Sequence, residues 1–110
     1  MHLIVMRFVL LLTVCMALTA RAQTADSVVI YGTVLNADST LLIPNTHVIN
    51  KRNYAGTITN GLGEFMIPAK IGDTIVFSNV SFQFYYHQVS GNEPDNLIIK
   101  LLERNYLRDE

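Results

Sequence analysis

The chain has 110 residues, half of them apolar and 15% charged, with a formal net charge of −1 and a single cysteine. That length accommodates one domain. The near-even charge, with no Lys/Arg block, excludes a dedicated nucleic-acid binder, which would carry a basic patch.

The first segment reads as an address. Arg7 precedes an apolar run from Phe8 to Leu18, and Ala20-Arg21-Ala22 follows. A basic start, a short apolar stretch and small residues at −3 and −1 predict a secretory signal peptide over residues 1–22, cut after Ala22. Met6 is an alternative initiator to Met1. The run falls short of the roughly 20 residues that span a bilayer, so no membrane span is expected in the mature chain. Cys15 follows Val14 rather than the small residue that lipoprotein processing requires, and cleavage would discard it. The mature chain would then have no thiol, which excludes disulfides, Cys-based zinc sites and Cys nucleophiles. Its location is expected to be periplasmic, outer-membrane-associated or secreted.

After a linker at 23–27, short strands and turns alternate. Val28–Leu35 is rich in β-branched and aromatic residues, with Val28, Ile30, Gly32 and Val34 on one face. Asn36–Thr40 is a turn. Leu41–Asn45 closes on a Pro44-Asn45 turn that feeds a strand over 46–50. Gly56–Thr59 runs into Asn60-Gly61, a signal for a tight hairpin whose residues take positive φ. Glu64–Ile67 alternates and is predicted to end at Pro68. Strands over 74–78, 81–89 and 96–102 follow, then a charged tail at 103–110. About seven strands at this spacing predict an all-β, antiparallel Greek-key sandwich over 28–102. Its inward side chains would be Ile30, Val34, Val48, Ile58, Phe65, Ile67, Ile75, Phe77, Leu97, Ile99 and Leu101, in a wholly apolar interior.

Four stretches carry a family resemblance: Ile30-Tyr-Gly-Thr-Val34, Ile43-Pro-Asn-Thr-His-Val48, Gly56-Thr-Ile-Thr-Asn-Gly-Leu-Gly-Glu-Phe-Met-Ile67 and Gly72-Asp-Thr-Ile-Val-Phe-Ser78. Their order resembles the carboxypeptidase regulatory-like domain, a transthyretin-like (prealbumin-like) β-sandwich of Bacteroidota cell-envelope proteins. On this resemblance Gly32, Pro44, Gly56, Asn60, Gly61, Gly63 and Phe65 are the structural motif positions. Asn60 stands where the family has Asp, Thr46 where it has a small Ala, and Ser81-Phe82 where it has Gly-Tyr. The resemblance implies a non-catalytic accessory module. Such modules sit beside a peptidase domain or ahead of the plug of a TonB-dependent receptor.

Candidate chemistry is sparse. His47 and His87, the only histidines after residue 22, lack the spacing of a metal motif, so no metal or cofactor is expected. Ser78, His87 and Asp73 could be assembled into a triad only without a nucleophile-elbow sequence. Glu64 and Asp73 read as isolated acids beside turns. Asn60-Gly-Leu-Gly63 lacks the Lys and helix of a phosphate loop. Asn79-Val-Ser81 forms a glycosylation sequon, discounted because the resemblance is bacterial. The feature that alternation does not absorb is Phe82–Gln88, where polar-tipped aromatics would reach solvent. Tyr85, Tyr86 and His87 are therefore the candidate binding surface, for an envelope protein or a glycan. A small hydrolase is the rival reading.

Overall fold

The computed structural model describes residues 27–104. The expected leader and its cleavage site, most of the linker, and residues 105–110 of the tail lie outside the described residues. Among the described residues seven strands form: β1 Ser27–Asn36, β2 His47–Asn50, β3 Gly56–Ile58, β4 Glu64–Lys70, β5 Thr74–Ser78, β6 Tyr85–Gln88 and β7 Leu97–Leu101. They make two sheets, ordered β4-β1-β7 and β3-β2-β5-β6, in a sandwich-like all-β arrangement. No helix occurs among the described residues.

Period-2 alternation explains the layering. In β4, Phe65, Ile67 and Ala69 are buried while Glu64, Met66, Pro68 and Lys70 are exposed. In β5, Ile75 and Phe77 point inward from the other sheet. The two layers meet at Phe65 and Phe77, packed edge to face with ring centroids 5.2 Å apart, a favoured aromatic geometry. Gly32 lies beneath this contact. A Cβ there would collide with the Phe65 ring and with the Leu97 carbonyl of the neighbouring strand.

Several expectations are corrected. Every strand pair is antiparallel except β1 with β7, which run parallel. β4 does not stop at Pro68 but continues to Lys70. Pro68 pairs with Val29 on an edge strand. Val34 donates its amide to the Gly63 carbonyl on the β4 side, so in this register the even-numbered positions of β1 form the hydrogen-bonded pairs. Pro68 therefore falls at a non-hydrogen-bonded position, where its missing amide costs the ladder nothing. Ile58 is 52% exposed rather than inward. It pairs with His47 on the outer face, and Thr57 is the residue opposite buried Val48. Leu97 is only partly buried against the core, which Ile43, Ala69, Phe82 and Val89 complete.

The Asn60-Gly61 hairpin does not form. β3 spends its pairing groups on β2 and β4 spends its own on β1, so the chain changes sheets at this turn. Asn60 holds the corner: its Oδ1 accepts from the amides of Leu62 (3.0 Å) and Glu64 (2.9 Å). The positive φ, 74°, belongs to Gly63.

The interior is not wholly apolar either. Asn36, Thr46, Asn50, Thr59 and Asp73 are buried, and no buried side-chain nitrogen or oxygen among the described residues lacks a hydrogen bond. Asn36 caps the end of β1, its Oδ1 accepting from the amides of Thr40 and Leu41. Thr46 accepts a 3.2 Å bond on Oγ1 from Asn79 Nδ2. The amide of the Asn79 sequon is thus engaged within the fold.

Candidate functional site

β6 is one of the two edge strands of the four-stranded sheet, and its register against β5 sorts the candidate residues. Tyr85 lies opposite Phe77 and His87 opposite Ile75, so both belong to the core-side face. Tyr86 lies opposite Val76 on the outer face. The three candidates are therefore divided by the sheet. Tyr85 packs edge-on against Phe77, centroids 6.0 Å apart, and shows its remaining surface at the rim. Tyr86 is 57% exposed. Phe84, just before the strand, is also exposed, with the Arg104 guanidinium carbon 5.6 Å from its ring centroid. That is within the range of a cation–π contact.

His87 is half-buried rather than a free surface histidine. Its Nε2 lies 2.7 Å from Glu93 Oε2. Glu93 also accepts from the Ser90 amide (2.9 Å) and the Gly91 amide (3.0 Å), which fastens the loop after β6. Burial alone would raise the Glu93 carboxyl. The Ser90 amide, His87 and the Gly91 amide outweigh it and hold the group down at about 2. The sequence signal is Ser90-Gly-Asn-Glu93, the spacing by which an acid reaches back to a Ser amide, used here without a helix.

Asp73 is not an isolated acid. Its carboxylate accepts from Asn50 Nδ2 at 2.8 Å, from the Lys70 amide at 2.9 Å and from Arg52 Nε at 2.9 and 3.1 Å. Burial opposes ionisation, but the bonds from Arg52, Asn50 and Lys70, with the Arg52 charge, bring its pKa to about 2. This network joins the β2–β3 connection to the β4–β5 turn and holds the fold. The residues of the paper triad diverge accordingly. Ser78 pairs with His47 on the outer face, His87 faces inward, and Asp73 is turned to Asn50 and Arg52. His47 and Glu64 are exposed on their strands.

One surface was not anticipated. On the outer face of the three-stranded sheet, Val29 and Tyr31 of β1, Met66 of β4 and Ile98 of β7 are each about half exposed. Tyr31 stands directly opposite Met66, and Ile98 opposite Thr33. Sequence alternation placed these residues outward, but only the strand order brings them together. No protein-family model matches the chain, and no curated protein matches it significantly.

Proposed function

We propose that the chain is an exported, non-catalytic β-sandwich module of the cell envelope that docks a protein partner. The observation that carries this reading is the half-exposed row Val29, Tyr31, Met66 and Ile98 across three adjacent strands. Exposed apolar side chains gathered on one sheet face suit an interaction site. Its aliphatic and thioether side chains suit the apolar surface of a protein better than a sugar ring, which stacks on flat aromatic faces. A glycan is the second reading, supported by exposed Phe84 and Tyr86 on the opposite sheet.

The seven strands, the Gly63 corner and the Phe65 contact beneath Gly32 are compatible with the carboxypeptidase regulatory-like, transthyretin-like family. An accessory role beside a peptidase or a TonB-dependent receptor is the form docking would then take. A hydrolase has the least support, since Ser78 and His87 occupy opposite faces.

Photo-cross-linking in the intact envelope tests the proposal. A photoreactive side chain at Met66 should yield one discrete protein adduct, and the same group at exposed Asn53 should not. No adduct at Met66, or equal labelling from both sites, would defeat it. Turnover of peptide or ester panels above background by the mature chain would defeat its non-catalytic half.

A further inference from the structure

β1 is covered on its β7 side for only half its length. β4 accompanies it from Ser27 to Thr33, whereas β7 joins it only from Gly32 onward. Because Val34 donates to the Gly63 carbonyl at 2.8 Å, the even-numbered peptide groups of β1 turn toward β4 and the odd-numbered ones turn away. Along Ser27–Tyr31 no described strand pairs on that other side. The amide and carbonyl of Val29 and the amide of Tyr31 have no hydrogen-bond partner among the described residues. The chain entering β7 is tied to β1 by Asn96, whose Oδ1 accepts from Thr33 Oγ1 at 3.0 Å. Before that point it swings outward, leaving a wedge of about 530 Å³ between Val28–Tyr31 and Gly91–Asp95.

A row of free strand amides and carbonyls beside an open wedge is suited to pairing with another extended chain. Alternate side chains of an added strand would lie beside Val29 and Tyr31 on the outer face. Those between would lie beside Val28 and Ile30 on the inner one. The wedge also has a sign: its loop wall carries Glu93 and Asp95, and no Lys or Arg among the described residues lines it. Glu93 is engaged with His87 and the Ser90 amide, which leaves Asp95, exposed at the surface, as the charge a ligand would meet. A second copy of this edge would not complement it, since Ser27-Val-Val-Ile-Tyr31 contains no cation.

We propose that this wedge receives an extended, basic peptide segment of a partner protein as an added strand. The Val29 and Tyr31 backbone would hold it, and a Lys or Arg would reach Asp95. The inference rests on the docking reading above and names the chemistry of the partner.

Isotope-labelled mature chain titrated with capped nine-residue peptides of alternating Val and Thr, with a central Lys or a central Glu, tests it. The Lys peptide should shift the amide resonances of Val29, Tyr31 and Asp95 and bind about tenfold more tightly than the Glu peptide, roughly one charge-assisted contact. N-methylation of the peptide's alternate amides should cost at least about tenfold, one or more lost backbone bonds. Asp95→Asn should erase most of the Lys preference. Val29→Pro removes the outward amide, spares the ladder to β4, and should abolish binding while melting remains cooperative. Should that variant fail to fold, the N-methylated peptide decides alone. Shifts confined to other strands, equal binding of the Lys and Glu peptides, or full binding after N-methylation would overturn the inference. If these peptides fail while the Met66 adduct persists, only strand addition falls; loss of the adduct as well removes the docking reading.

Discussion

Alanine at Gly63 should destabilise the domain by about 2–3 kcal/mol, with roughly 1–2 from the left-handed backbone and about 1 from a weakened hydrogen bond. The φ of Gly63 is 74°, a region where a side chain is strained. Its new Cβ would stand 2.7 Å from the Val34 carbonyl oxygen and 3.1 Å from the Ile43 nitrogen. These are backbone atoms, joined to each other by the 2.9 Å Ile43–Val34 bond, so no rotamer change can relieve the contact. In a domain of this size that loss lowers the melting temperature by roughly 8–24 °C. Gly61, two residues earlier, is the control. No atom lies within 4 Å of a Cβ built there, and its φ is not positive. Alanine at Gly61 should leave stability within about 0.5 kcal/mol, or raise it slightly by restricting the unfolded chain. Thermal and urea unfolding followed by circular dichroism would compare the two. Equal effects, or greater sensitivity at Gly61, would refute the corner and restore the two-residue Asn-Gly hairpin.

Acid should weaken the fold through two carboxylates. Asp73 and Glu93 are held at about 2, below their ordinary values of 3.8 and 4.5. Their contribution is therefore complete above about pH 5 and is lost as pH falls toward 2. Asp73→Asn should lower the melting temperature at pH 7 and flatten its decline between pH 5 and 3; an unchanged pH profile would contradict the network. Ile67→Ala should cost about 2–5 kcal/mol, whereas Ile58→Ser should stay within about 0.5 kcal/mol because the side chain already faces water. Urea midpoints of the two variants check this, and a large loss at Ile58 would mean that β3 is turned the other way.

Strand existence was legible because side-chain alternation is local. Glu64–Ile67 and Thr74–Ser78 declare their buried faces in the residues themselves. Pro68 does not terminate β4, because Ala69 continues the buried series and the proline sits where no ladder bond is needed. Sheet membership is not local. Asn60-Gly61 carries the composition of a hairpin, but whether Ile58 and Phe65 end in the same sheet depends on β1 and β2, which precede them both. The parallel β1–β7 pairing joins segments about 65 residues apart. For the same reason Asp73 looked solitary: Asn50 and Arg52 lie 23 and 21 positions away. At the candidate surface, alternation separates Tyr86 from Tyr85 and His87, but only the β5 register decides which of the two faces is turned to the core. The exposed row on the other sheet, and the open half of β1, arise from strand order, which no local pattern encodes.

Amide hydrogen exchange along β1 tests the architecture behind these proposals most directly. Protection is expected at Val28 and Ile30, rapid exchange at Val29 and Tyr31, and continuous protection from Gly32 onward, where β7 covers the second side. Uniform protection from Val28 to Leu35 would mean that the first half of β1 is already covered, and the open edge would not exist.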